Sequence, residues 1–150
     1  MDRKKKAARY LRVYQQIQDL ILQTSDPISK MSTIIAILHH KFDYYFWTGF
    51  YHLNDAKLTI GCYQGSLACL VLESKGVCWK AKNTQETVIV PDVHKFPGHI
   101  ACDSRSRSEI VVPVFKGKNV MAVLDVDSKE LDIFDDIDAK WLEKIVELIY

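Results

Sequence analysis

EIVVPVFKGKNVMAVLDVD, residues 109–127, decides the fold. Two apolar runs, Glu109 to Phe115 and Val120 to Asp127, flank Lys116-Gly117-Lys118-Asn119, a turn-forming link that predicts an antiparallel hairpin. Residues two apart on a strand share a face, so Asp125 and Asp127 are expected to project together. Carboxylates that close an apolar strand are either solvated strand ends or the wall of a pocket.

Immediately upstream lies PDVHKFPGHIACDSRSR, residues 91–107, between the apolar segment Thr87–Val90 and Glu109. Its two prolines cannot donate to a ladder, and the run is too broken for a long helix. An irregular stretch of this length inside a domain is more often functional than idle. Cys102 stands in it among polar neighbours, only seven residues before Glu109. A reactive thiolate needs nearby positive charge, for which Arg105, Arg107 or His99 is a candidate source.

Further out, Tyr10, Val13, Tyr14, Ile17, Leu20 and Ile21 recur at helical spacing. The basic run Arg3–Lys6 before them reads as a solvated first turn. Ser25-Asp26-Pro27 ends that helix and starts another, with Ile28, Met31, Ile34, Ile35 and Leu38 as its apolar positions, to about Lys41. Phe46–Leu53 and Lys57–Gln64 predict a hairpin turned at Asn54-Asp55, and Gly65 breaks it. Ala68–Leu72 is ambiguous by periodicity. Gly76–Glu86 reads as a weak helix and Thr87–Val90 as a buried strand. A last helix begins near Asp135-Asp136, with Ile137, Trp141, Leu142, Ile145, Val146 and Ile149 on one stripe. Two N-terminal helices, strands and one C-terminal helix make an α+β fold: a central antiparallel sheet flanked by helices, mostly on one side.

At 150 residues, with 48% apolar and 26% charged side chains, the expectation is one domain over residues 1–150. A net charge of +1 gives no global attraction to nucleic acid or to anionic membranes. No apolar run is long enough to span a bilayer and no leader pattern is visible, so a cytoplasmic location is expected. There the four cysteines are expected to be buried, metal-binding or redox-active rather than structural disulfides. Cys62, inside a strand, reads as a small buried hydrophobe, whereas Cys69, Cys78 and Cys102 lie near turns and loops. His94 and His99 with cysteines form a rival zinc set, but the spacings match no zinc ribbon or finger, so no metal is expected.

WTGFY (Trp47–Tyr51), QG-x-x-AC (Gln64–Cys69), GVC (Gly76–Cys78), PDVHKFPGHIACD-x-x-SRSEIVVP (Pro91–Pro113) and VLDVDS (Val123–Ser128) occur in one order along about residues 30–149. In these pieces the chain resembles the free methionine-R-sulfoxide reductases, enzymes built on a GAF domain. The resemblance implies a GAF-like sheet and reduction of free L-methionine-R-sulfoxide through a cysteine sulfenic acid. It also implies an intramolecular disulfide recycled by thioredoxin, with no bound cofactor.

Position by position, the resemblance makes Cys102 the attacking cysteine, Cys69 its usual resolving partner and Cys78 a third cysteine. Glu109 and Asp127 match carboxylates that hold the substrate ammonium and assist protonation of the sulfoxide oxygen, with Asp125 beside them. Trp47 and Tyr51 match an aromatic wall for the S-methyl group. Trp79 stands where a glycine is usual after GVC, Lys75 where an arginine is common, and Cys62 is additional. The expected assembly is a homodimer, with the helix in residues 1–25 either packed on its own domain or at the dimer contact. The competing reading is a non-catalytic GAF module that senses a small molecule or redox state.

Overall fold

The computed structural model describes residues 1–99 and 102–150. Its elements are α1 (Arg3–Ile21), α2 (Pro27–Lys41), β1 (Trp47–Asn54), β2 (Lys57–Gln64), β3 (Val71–Leu72), α3 (Val77–Thr84), β4 (Val88–Val90), β5 (Ser108–Lys116), β6 (Asn119–Ser128) and α4 (Asp136–Val146). The strands form one antiparallel sheet in the order β3-β2-β1-β6-β5-β4. The β5–β6 hairpin sits inside it, with β6 central against β1.

Strand alternation divides the sheet into two faces. Phe50, Ile110, Val112, Val114, Ala122, Leu124 and Val126 point into a core closed by α1, α2 and α4. Trp47, Tyr51, Val111 and Val123 point to the other face, where a smaller apolar cluster is completed by α3 and by Val93 of a short 3-10 turn, Val93–Lys95. Glu109, Asp125 and Asp127 alternate onto this second face as well. It is covered by one short helix and loops, which leaves room for a pocket.

Local chemistry fixes the helix ends. Asp26 accepts from the Ser29 N–H with Pro27 just inside α2, and Asp135 caps α4 in a capping box with Asp138. The face of α1 bearing Tyr10, Val13, Ile17 and Ile21 is buried on its own domain, while Leu11, Leu20 and Leu22 are exposed.

The structure corrects three local expectations. The basic run is not wholly solvated: Lys6 is buried and its ammonium donates to Asp138 at 2.8 Å and to Asp135 at 3.2 Å. Asp138 also accepts from the hydroxyls of Tyr10 and Tyr44, each at 2.6 Å, so an ion pair ties α1 to the start of α4. Thr87–Val90 becomes the half-buried edge strand β4, because it pairs only with β5. Ile28 is exposed in the first turn of α2, ahead of the positions that reach the sheet.

Candidate active site

The β5–β6–β1 register builds the floor of the site. Asp127 lies opposite Glu109 on one side and Trp47 on the other, and Asp125 lies between Val111 and Gly49. Glu109 and Asp125 are buried, Asp127 is half-buried, and carboxylate oxygens of the three lie within 4.8 Å of one another. Drawn as carboxylates, Glu109 Oε1 and Asp125 Oδ1 have no donor. Burial without a donor disfavours the charged form of both groups. Burial, then the neighbouring negative charges, pushes Glu109 well above the ordinary range, and Asp127 rises for the same two reasons. Burial likewise pushes Asp125 up to about 7, opposed by hydrogen bonds with Glu109 and the Cys78 thiol.

An aromatic wall rises beside this floor. Trp47 stacks on Tyr51 at 6.0 Å between ring centroids and on Tyr63 at 5.5 Å. Both Trp47 and Tyr51 are anchored to the segment that carries Cys69: the indole N–H donates to the Ser66 carbonyl at 3.0 Å, and the Tyr51 hydroxyl to the Cys69 carbonyl at 3.0 Å. Gly49 lets the indole lie over the strand, since a Cβ there would stand 2.5 Å from Trp47 Cη2.

At the mouth, Cys69 and Cys102 form a disulfide with Cα atoms 5.5 Å apart. Cys69 is half-buried and Cys102 exposed, on the rim of the pocket that holds the three carboxylates. The third cysteine, Cys78, is free and buried in the first turn of α3, where burial and then the carboxylate charges push its thiol well above the ordinary range. Trp79, beside it, faces the apolar cluster and donates its indole N–H to the Leu72 carbonyl at 2.8 Å. Cys62 is free, half-buried and packed against the larger core.

All the residues expected at the site therefore line one pocket apart from Cys69, which reaches it through its bond to Cys102. The candidate cations fare differently. Arg105 spends its guanidinium on Asp103, with bonds of 3.1 and 2.8 Å, and on the face of Phe46. His99 lines the pocket, but burial, then His94, lowers its affinity for a proton. Arg107 is exposed and does not line the pocket; Lys75 does. The zinc set is not assembled: among the described residues, the group with metal-ligand proximity is Glu109, Asp125 and Asp127. Ile100 and Ala101 of the PGHIACD motif lie outside the described residues.

Ser66 and Asp103 were not singled out by sequence. They line the pocket and bond to each other at 2.6 Å, although 37 residues apart. Neither carries a sequence signal of its own; each sits inside a quoted motif as an ordinary polar residue.

A GAF-domain family model matches residues 14–149. The free methionine-R-sulfoxide reductase of Escherichia coli (strain K12) is 37% identical over 79% of this chain and 73% of its own length. GAF domain-containing protein A of Dictyostelium discoideum is 42% identical over 96% of this chain and 92% of its own. The X-ray structure of free methionine-R-sulfoxide reductase from Neisseria meningitidis in complex with its substrate superposes with a TM-score of 0.92. That structure is 39% identical, covering 96% of this chain and 87% of that one. The chain belongs to the GAF-domain family of free methionine-R-sulfoxide reductases. The expected α+β GAF fold is the one observed. For a reductase of this family, a disulfide at the rim of an acid-lined pocket joins the two chemistries that sulfoxide reduction requires.

Proposed function

We propose that this chain reduces free L-methionine-R-sulfoxide to methionine. The observation that carries the reading is the Cys69–Cys102 disulfide on the rim of a pocket floored by three clustered, buried or half-buried acids. A sulfoxide oxygen leaves poorly unless protonated, so the acids supply the proton while they hold the substrate ammonium. In the reduced protein, Cys102 attacks the sulfoxide sulfur. Oxygen passes to cysteine as a sulfenic acid, and methionine leaves with the electron pair. The Cys69 thiol then displaces hydroxide from Cys102, giving the disulfide and one water. Two electrons from an external dithiol, thioredoxin in this proposal, restore both thiols.

Free methionine carries an ammonium that a peptide-linked residue lacks, which accounts for Glu109, Asp125 and Asp127 as the binding floor. Trp47 and Tyr51 pack the S-methyl group, and Lys75 offers charge to the substrate carboxylate. Cys78 is a protonated neighbour of Asp125 in this scheme rather than the resolving thiol. The chain acts as one domain in the cytoplasm, whose reducing poise suits dithiol recycling. Exposed Leu11, Leu20 and Leu22 on and just after α1 support pairing of two copies. The test is turnover of free R-sulfoxide, free S-sulfoxide and a peptide-bound sulfoxide, with thioredoxin and its reducing system. Wild-type protein is expected to consume only the first, and Cys102→Ser none of the three; retained turnover in that variant refutes the assignment.

A further inference from the structure

The two cysteines reside on separate segments, and a second link joins those segments. Ser66 is three residues before Cys69, and Asp103 directly follows Cys102. The Ser66 hydroxyl donates to Asp103 Oδ2 at 2.6 Å. Arg105 steadies the acceptor: its backbone N–H and Nε donate to Oδ1 at 2.9 and 3.1 Å, and its terminal nitrogen to Oδ2 at 2.8 Å. The Trp47 indole holds the Ser66 carbonyl from the sheet side. These hydrogen bonds also keep the Asp103 carboxyl well below the ordinary range, led by those from Arg105, so the acceptor stays ionised at neutral pH.

We infer that the Ser66–Asp103 bond is a positioning device for the resolving step, holding the Cys69 segment against the Cys102 segment while the disulfide is open. The inference rests on the proposed function in taking Cys69 as the thiol that condenses with an oxidised Cys102. Such a condensation is intramolecular, and its rate depends on how often sulfur meets sulfur in line; a misplacement of about 1 Å costs on the order of a hundredfold. The disulfide itself cannot supply that order, because it is missing when order is needed. A hydrogen bond whose donor and acceptor flank the two cysteines can. Without it, the sulfenic acid on exposed Cys102 persists and meets a second oxidant.

The experiment uses the full chain, reduced and freed of reductant, then treated with one equivalent of hydrogen peroxide. Peroxide transfers one oxygen to the Cys102 thiol and leaves water; attack by Cys69 expels a second water. Sulfenic acid is trapped with dimedone, and disulfide is counted by mass spectrometry over time. Wild-type protein is expected to close with little trapped adduct. Ser66→Ala and Asp103→Ala are expected to close at least tenfold more slowly, with dimedone adduct and sulfinic acid accumulating. Ser66→Thr, which keeps the hydroxyl, is expected to restore closure. Closure of Ser66→Ala at the wild-type rate overturns the inference, as does equal slowing in Ser66→Thr. Peroxide closure with this variant pattern, in a protein that does not consume free methionine-R-sulfoxide, upholds the positioning role and rejects the substrate alone.

Discussion

Glu109 and Asp127 stand directly opposite each other on neighbouring strands, both facing the pocket and both holding protons more tightly than exposed carboxyls do. Directly opposed like charges destabilise a ladder. The pair is tolerable because burial favours the protonated carboxyl; in the proposed function the substrate ammonium ionises part of this acid cluster and leaves a proton for the sulfoxide oxygen.

That ionisation is measurable as protons. A cation arriving among raised carboxyls favours their ionised forms, so substrate binding at pH 7 is expected to release protons. Calorimetric titration of Cys102→Ser with free methionine-R-sulfoxide, in two buffers of different ionisation enthalpy, checks this. Heats that differ between buffers in the direction of release are expected, and Glu109→Gln is expected to shrink the difference and weaken binding about tenfold or more. Identical heats in both buffers would count against an acid floor that titrates.

Asp125 gives a stability prediction with a definite sign. Its folded value is pushed up to about 7 by burial, against about 4 for an unfolded aspartate. The folded state thus binds a proton that the unfolded state has released, and stability falls as pH rises across that interval. The contribution is fully present below about pH 4 and lost as pH passes through about 7. Asp125→Asn removes the penalty, so the variant should gain in melting temperature relative to wild type at pH 8 and not at pH 4. A gain that is the same at both values would place the effect in packing instead.

The sheet and its acidic face were legible because period-two alternation is a local signal: Asp125 and Asp127 could be assigned to one face from spacing alone. The pairing of Glu109 with Asp127 was not legible: counted from the Lys116–Asn119 turn, Glu109 falls opposite Val126, and a register shift between Val114 and Phe115 moves it to Asp127. The engagement of Arg105 was illegible for a physical reason. Arg105 is two residues from Asp103, and sequence proximity to the thiol says nothing about which partner captures the guanidinium. The Ser66–Asp103 bond and the Lys6–Asp138 pair were illegible, since each joins residues whose meeting depends on how distant segments pack.

Lys6 and Asp138 make the largest predicted effect on stability outside the site. The lysine side chain is 5% exposed and the aspartate fully buried, so removing one partner strands a charge. Lys6→Met is expected to cost about 3 kcal/mol, which for a chain of this size lowers the melting temperature by roughly 10 °C. Thermal denaturation of the reduced protein checks it. Since Lys6 lies across the sheet from the pocket, the turnover number well below the melting transition is expected to be unaffected.

Gly49 tests the aromatic wall. An added Cβ would stand 2.5 Å from Trp47 Cη2 and 2.6 Å from Tyr63 Cβ, so the indole cannot keep its place over the strand. Gly49→Ala changes no group that donates or accepts a proton, although the approach to Tyr63 Cβ makes β2 give way beside it as well. The displaced ring instead loses its stacking on Tyr51 and Tyr63 and strains its bond to the Ser66 carbonyl. In the proposed function the S-methyl group packs on that ring, so KM for the free sulfoxide should rise about tenfold, equivalent to roughly 1.4 kcal/mol. If the wall is only structural, the variant will lose melting temperature while KM stays at the wild-type value. A rise in KM measured at a temperature where the variant remains folded assigns Trp47 to substrate recognition.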